Sequence, residues 1–458
     1  MNTVQRIGAL TGLVCLVAGL IAPLPQIAPT IQLTLGIALF ALCFWTFEPV
    51  PIQLSSLFLL VLYPLTDLLT FEESFAPFAG KTIWLIFTGM AISMALEQTG
   101  VGTLLANIMK RVLSRHPAFL IAQLHFIGLA TAFIVPSGVV RVLLLFPIGL
   151  ALCTSLKCTN DPKATTVVLL SLVSSTVFGG FGILTGAVPN MILAGQLHEW
   201  GNESIFWSTW FVWMFPLVGI GRSILSAFLI WVFWGRTIAP FRPIPQKETE
   251  FTFTTAQKKT LGVLTLGVIG WATDTVHQIP PVYIALAVVL ILLIPHWGTL
   301  NVKDLKKLDF TFLFYIAALF SLGTALSGSG FNDAFINNAV EWAHLSRWDL
   351  PQRYFALTLL TVPLDFVMDI AAVAAVVTHP FLQLAAEHEL GILPAAMSIG
   401  MATTLVFLPY QAAPLMVAYS FRKFALSHLV LLQFSLSLLS LIFLYPLNLV
   451  YWSWAGFL

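Results

Sequence analysis

Charge is scarce in this sequence, and the scarcity excludes most soluble architectures. Only 9% of its 458 residues are Asp, Glu, Lys or Arg, against about 25% in soluble domains. So few charges cannot cover a water-exposed surface of this size, and no sizeable soluble domain is expected. Acidic and basic residues nearly cancel, 20 against 21, so nothing in the charge balance points to a nucleic-acid partner. Cysteine is sparse too. Cys15, Cys43, Cys153 and Cys158 lie in or near apolar stretches without metal-ligand spacing. That excludes a thiolate metal centre and predicts reduced, structural thiols. The chain contains no His-Glu-x-x-His run and no Ser/His pair with an evident catalytic arrangement, so it does not read as an intramembrane enzyme.

Apolar sequence is what remains. Hydrophobic residues make up 58% of the chain and the mean hydropathy is +0.92, which predicts an all-α polytopic membrane protein. Apolar spans run near 7–23, 29–47, 51–69, 82–109, 117–156, 164–197, 207–235, 259–277, 280–296, 310–330, 354–386, 394–420 and 425–450. One crossing needs about 20 residues. The stretches 117–156 and 354–386 are longer, with polar or small-residue breaks at mid-length, and read as re-entrant hairpins. Eleven crossings remain. With the N-terminus cytoplasmic, this layout places sixteen of the 21 basic residues inside and only Lys81, Arg347 and Arg353 outside, as the positive-inside rule requires. It puts the C-terminus outside. The first span follows Arg6, lacks a convincing small-residue cleavage site and runs into another span, so it reads as a mature helix rather than a signal peptide.

Two spans are interrupted in the same manner. Gly179-Gly180-Phe181-Gly182 leads into Gly186-Ala187-Val188-Pro189-Asn190, and Pro409-Tyr410-Gln411-Ala412-Ala413-Pro414 breaks the corresponding span of the second half. Irregular backbone survives at membrane depth only where protein or a water-filled cavity surrounds it, and paired interruptions mark the binding site of secondary transporters. The halves align at near-constant offsets: Ala95–Val101 with Ala325–Phe331, Pro147 with Pro380, and Pro189 with Pro414. After an extra N-terminal helix (1–28), each copy (29–235 and 259–458) holds five crossings and one hairpin. An odd number of crossings inverts the second copy, and a proline-containing cytoplasmic linker (236–258) joins the two.

These residues resemble the divalent anion/sodium symporter family of the ion transporter superfamily. The run Gly179–Asn190 is similar to that family's Gly-Gly-x-Gly-Thr…Gly-Thr-Pro-Pro-Asn, and Pro409–Leu415 to its Pro-x-Ala-Thr-Pro-Pro-Asn, with Ala412, Ala413 and Leu415 in place of Thr, Pro and Asn. The resemblance implies a mobile transport domain of hairpins and broken helices moving like an elevator against a dimerising scaffold. It also implies a Ser-Asn-Thr signature at each hairpin tip that binds Na⁺ and the substrate carboxylate. Counted ten residues back from Pro147, the first tip reads Ser137-Gly138-Val139 and keeps only Ser. Counted back from Pro380, the second reads Ile370-Ala371-Ala372 and keeps nothing, with Met368-Asp369 just before it.

Several residues are candidates for the transport chemistry. Arg141 lies four residues past the first tip within apolar sequence, where a charge costs about 2.5–3.5 kcal/mol even on insertion scales. It either clamps an anionic substrate or stands as a fixed positive charge where relatives bind Na⁺. Snorkelling to the cytoplasmic surface is the bland alternative. Asp365 and Asp369, one helical turn apart at the second tip, are proton-carrier candidates, because burial disfavours the charged form. Asp369 is the expected partner of Arg141. His379 and His125 are further relay candidates or satisfied core residues. Ser137, Gly138, Thr185, Gly186, Pro189, Asn190, Gln411, Ala412 and Pro414 complete the expected substrate site. Arg222 is expected to pair within the scaffold or with lipid phosphate, and the tryptophans to form an interfacial belt.

The resulting expectation is a secondary active carrier of small divalent anions, dicarboxylates first, as a homodimer in a bacterial inner membrane. Altered tips imply weak or absent Na⁺ dependence, with Na⁺ or H⁺ as the coupling ion to be tested and no other cofactor. A cation/proton antiporter of the same superfamily and a Na⁺-coupled sulfate or oxyanion carrier are the alternatives.

Overall fold

The computed structural model describes residues 3–21, 27–101, 104, 113–114, 116–200, 204–241, 253–331, 348–366 and 368–458. Lys110, Arg111, Arg115, Arg242, Lys247, Arg347 and most of the linker lie outside the described residues. Every regular element among the described residues is helical, as expected of a chain whose backbone must be satisfied without water.

Helix α1 (Thr3–Ile21) packs on α2 (Pro29–Phe47). A Cβ on Gly19 would stand 3.0 Å from the Gly36 Cα, and one on Gly36 would stand 2.8 Å from the Cys15 carbonyl oxygen. Lipid gives helices no hydrophobic reason to associate, so small residues that permit close contact do the work. The outer face of α1 exposes Ile7, Leu10, Leu13, Val14 and Val17, a surface suited to acyl chains.

The first half continues with α3 (Ile52–Leu65) and α4 (Lys81–Gln98), then a hairpin of α5 (Pro117–Ile134) and α6 (Gly138–Ser155). A broken helix follows, α7 (Pro162–Phe178) and α8 (Val188–Trp200), and then α9 (Trp207–Met214) and α10 (Arg222–Phe233). The second half runs α11 (Thr255–Ala272), α12 (Pro281–Leu292) and α13 (Phe312–Gly328), with a hairpin of α14 (Leu350–Asp365) and α15 (Ile370–Glu387). Its broken helix is α16 (Ile392–Ala402) and α17 (Ala413–Ser420), followed by α18 (Leu426–Leu439) and α19 (Tyr445–Trp454). Each long apolar stretch is two helices joined by a short break, and both interrupted spans leave the α-helix in segments that hold the Gly and Pro residues. The arms α5 and α6 have 18 residues each, about 27 Å at the helical rise.

Several local features recur in the two halves. Helices α4 and α13 are each followed by a glycine with positive φ, Gly100 at +69° and Gly330 at +83°, the left-handed position that lets a helix stop and turn. Each final span is interrupted by a π-helical turn, Phe215–Gly221 between α9 and α10, and Ser440–Leu444 between α18 and α19. In each hairpin the two arms pack against the first part of the following broken helix more than against each other. Helix α7 is the extreme case. Every residue from Ala164 to Phe178 is buried, and the segment carries no charge, its only polar side chains being the hydroxyls of Ser and Thr. The halves then cross over: α8 packs on α15, and α6 on α17.

The break between α7 and α8 depends on backbone approach. A Cβ on Gly182 would lie 2.6 Å from the Gly219 Cα and 2.7 Å from its nitrogen in the π-turn. Gly182→Ala is expected to destabilise the protein by about 1–3 kcal/mol through overpacking. Gly262→Ala, where a Cβ meets nothing within 4 Å, should be neutral or better. Thermal melting of detergent-purified variants checks the contrast.

Candidate functional site

The first hairpin tip is Val135-Pro136-Ser137, and Ser137 caps α6 by accepting a hydrogen bond from the Val140 backbone N–H. One turn later the chain places Arg141, which is 1% exposed. Its guanidinium does not snorkel. Nε donates to the Thr176 carbonyl and hydroxyl, both at 3.1 Å. Nη1 donates to the Val135 carbonyl at 2.7 Å, and Nη2 to the carbonyls of Thr176 at 2.9 Å and Gly186 at 2.8 Å. All three nitrogens are thus held by oxygens of the hairpin tip and the broken helix. Gly180 makes room for the group, since a Cβ there would overlap Nη2. The arrangement is a carbonyl cage around a cation, with a guanidinium as the cation.

The expected pairing of Arg141 with Asp369 does not occur. Asp369 instead caps α15, accepting from the backbone N–H of Ala371 at 2.8 Å and Ala372 at 3.2 Å, and it also accepts from the Tyr315 hydroxyl of α13. Its place in the tip is that of Ser137, so counting from the prolines misaligns the tips by one residue. The physical reason is that capping needs a side-chain acceptor at the residue before the helix, whereas the proline sits inside it. Among the described residues the only ion pair is Lys307–Asp304, at 2.8 Å.

The expected ligands of the first broken helix are committed internally. Asn190 Nδ2 donates to the carbonyls of Phe181 at 3.0 Å and Ile183 at 2.9 Å, tying the unwound turns together. Thr185 accepts from the Trp207 indole at 3.2 Å, and the Trp210 indole donates to the Phe181 carbonyl at 3.2 Å. These two tryptophans, and Trp45, are buried and do not belong to an interfacial belt. Buried indole N–H groups need acceptors: the unwound segment offers Trp207 a hydroxyl and Trp210 a backbone carbonyl, and Trp45 donates to the Ser56 hydroxyl. Gly186 contributes its carbonyl to Arg141, and Pro189 is buried at the start of α8. A gap of about 180 Å³, too narrow for water, separates Pro136 and Thr185 from α4.

In the second broken helix, Gln411 accepts from the Leu408 backbone N–H at 2.7 Å and donates to the Asp365 carbonyl. Ala412 is buried. Pro414 lies against the first tip, where a Cβ on Gly138 would be 3.0 Å from its Cγ. The structure therefore brings together Ser137, Gly138 and Arg141 with the α7–α8 break on one side and Pro414 on the other. Asp369 and His379 lie apart, on α15, with His379 half-buried. His125 is a satisfied core residue, contacting the Ile121 carbonyl at 2.9 Å and the hydroxyls of Ser226 and Ser174 at 3.2 and 3.3 Å.

Arg222 is also fully buried, out of reach of lipid headgroups. Its Nη1 donates to the Thr404 carbonyl at 2.6 Å, and its guanidinium lies over the Phe178 ring at 5.0 Å. Thr404, at the start of the unwound segment, and Tyr445, bonded to its hydroxyl, were not legible as site residues. The π-turns that deliver Arg222 and Tyr445 leave no distinct sequence signal beyond local Gly and Pro.

Comparison with known proteins agrees with this architecture. Residues 4–458 match the family described as the sodium:sulfate symporter transmembrane region. The sodium-dependent dicarboxylate transporter SdcS of Staphylococcus saprophyticus is 26% identical over 208 residues, 43% of this chain and 39% of that protein. The L-tartrate/succinate antiporter of Escherichia coli strain UTI89 is 26% identical over 271 residues, 56% of this chain and 54% of that protein. The chain thus spans about half the length, or less, of these relatives. The solved YdaH transporter of Alcanivorax borkumensis shares the fold, with a TM-score of 0.56 and 14% identity over 99% of both chains.

Removing the guanidinium leaves the carbonyls of Val135, Thr176 and Gly186 without their donors. Hydrogen bonds to charged groups contribute about 1.5–3 kcal/mol each, so Arg141→Ala should cost at least ~4 kcal/mol. A fall in melting temperature of roughly 4 °C is expected. Arg141→Lys keeps the charge without the planar fork and should recover only part of the loss.

Proposed function

This chain belongs to the sodium:sulfate symporter family, and we propose that it is a secondary carrier of small dicarboxylates that needs little or no Na⁺. The dicarboxylate reading draws on the names of two relatives, a dicarboxylate transporter and a tartrate/succinate antiporter. The sodium reading rests on one observation: the Arg141 guanidinium fills an oxygen cage at the first tip. A Na⁺ ion at such a cage neutralises converging carbonyl dipoles and offers positive charge to an incoming anion. Arg141 does both permanently. Because its nitrogens are already engaged, it acts through its field rather than as a bidentate clamp.

The substrate is taken where the halves cross. There the N-terminus of α6 meets α17, and α15 packs on α8. Helix N-termini carry unpaired N–H groups and partial positive charge, which suit carboxylates. In this reading the repeats are inverted, and the hairpins and broken helices move as one transport domain against a dimerising scaffold. The N-terminus is cytoplasmic and the C-terminus outside, in a bacterial inner membrane.

Counterflow of labelled succinate into proteoliposomes, with and without Na⁺ at one pH, tests the proposal. Uptake should differ less than twofold between the two. Uptake only in Na⁺ would mean that Arg141 does not replace the ion. Absence of uptake in both would redirect the substrate to sulfate, another oxyanion or a cation exchanged for protons.

A further inference from the structure

Asp365 ends α14 at the second hairpin tip. It is fully buried, and neither carboxyl oxygen has a hydrogen-bond partner. Its carbonyl is held by Gln411 of the unwound segment. Arg222 begins α10 directly after the first π-turn, and Tyr445 begins α19 directly after the second. They occupy matching positions of the two halves. Arg222 Nε and Nη2 are also buried without partners, while Nη1 donates to the Thr404 carbonyl. The Tyr445 hydroxyl bonds the Thr404 side chain, and α14, which ends at Asp365, packs on α19, which begins at Tyr445. An unsatisfied acid and an unsatisfied guanidinium thus lie on elements that meet around Tyr445 and Thr404, without forming an ion pair within 4.0 Å.

We infer that Asp365 carries the coupling proton of this carrier, and that Arg222, across Tyr445, is the counter-charge that receives the carboxylate when the proton leaves. This rests on the carrier reading above. A bare carboxylate in a dry interior loses its hydration with nothing in return, so the packing seen here is that of the neutral acid. When the site opens to water, the carboxyl O–H bond breaks, the proton goes to solvent, and the electron pair stays on Asp365. The free Nε and Nη2 of Arg222 then stabilise that charge. Sodium is a poor occupant, because the carboxyl lacks converging oxygen partners and the guanidinium repels a second cation.

The other titratable groups around α14 are engaged elsewhere. Asp369 caps α15 and holds Tyr315. Tyr410 donates to the Phe366 carbonyl at 2.6 Å, Tyr354 accepts from the Gly391 N–H at 2.8 Å, and Tyr451 donates to the Val212 carbonyl at 3.0 Å. Also on α15, His379 is half-buried and Glu387 and His388 lie at the helix's far end. Thr404 and Gln411 belong to the same unwound segment, which ends at Pro414 beside the first tip. Proton occupancy of Asp365 is thereby tied to the backbone that borders the substrate.

The test measures succinate uptake and internal pH together in proteoliposomes containing a pH-sensitive dye. Wild-type uptake should acidify the interior without Na⁺. Asp365→Asn should lower the protons moved per succinate at least fivefold, with Asp365→Glu restoring part of the ratio. Arg222→Gln should shift the pH profile of net uptake upward by about one unit, because loss of the positive charge favours the protonated acid. Wild-type succinate uptake without proton movement would overturn the inference and leave the carrier reading standing, whereas no succinate uptake would defeat the dicarboxylate reading on which it rests. An unchanged proton ratio in Asp365→Asn, an unshifted profile in Arg222→Gln, or a Na⁺ requirement that Asp365→Asn removes would each overturn it. If Asp365→Asn is inactive, the Arg222→Gln profile decides.

Discussion

Unwound backbone without water must be satisfied by the protein, and much of this structure is organised around that need. Between Phe178 and Val188 the chain leaves the α-helix for two short 3₁₀ turns. The freed carbonyls go to Arg141, to Asn190 and to the Trp210 indole. Each donor comes from a different element: hairpin, returning half-helix and final span. That explains why α7 is buried from Ala164 to its end. A helix whose end must be served from several directions has to lie at the centre. The second break is served in the same way by Arg222, Ser437 and Gln411, which contact Thr404, Val406 and Leu408.

The two halves share this plan but resolve its electrostatics oppositely. At the first tip a neutral serine caps the arm and an arginine supplies a fixed positive charge. At the second tip an aspartate caps the arm, and a second aspartate, four residues earlier, has an unsatisfied carboxyl. A cation bound by its own covalent chain cannot be released during a transport cycle. It therefore contributes the same energy in every conformation at which the cage persists, and it cannot couple transport to an ion gradient. Only a group that changes occupancy can do that. The permanent charge of Arg141 and the bare carboxyl of Asp365 are complementary in this sense. In the proposed carrier, one lowers the electrostatic cost of holding an anion and the other is the exchangeable site.

Much of this was legible from residue order. The hairpins and breaks followed from span length and from Gly and Pro, and the depth of Arg141 followed from its apolar neighbours. Its partners did not, because a backbone carbonyl has no side-chain signature: any residue could stand at 135, 176 or 186. Pairing by opposite charge pointed instead to Asp369, whose capping role depends on a helix start one residue away from where the proline count put it. Tryptophan was misread for a related reason. Frequency near span ends suggests an interface, but an indole N–H also satisfies a broken helix, and Trp207 and Trp210 are used that way. Arg222 and Tyr445 were missed as a pair because their equivalence rests on two π-turns, and one extra residue per turn is not visible as a pattern.

The π-turns also bear on how the halves communicate. A π-turn widens a helix by one residue and leaves its hydrogen bonds offset, and such turns recur at functional sites. Here the two turns touch each other. The first receives the Gly182 backbone in close approach, and the residue after each turn reaches Thr404. A shift at either break therefore meets the other through the buried Arg222 and Tyr445 side chains, which converge on Thr404. Close-packed interiors transmit displacement rather than absorb it. If Asp365 gives up its proton and draws Arg222 away from Thr404, the second unwound segment loses a strong hydrogen bond while the first loses its packing at Phe178. Both breaks would then loosen in one step, which is what the proposed alternating access requires.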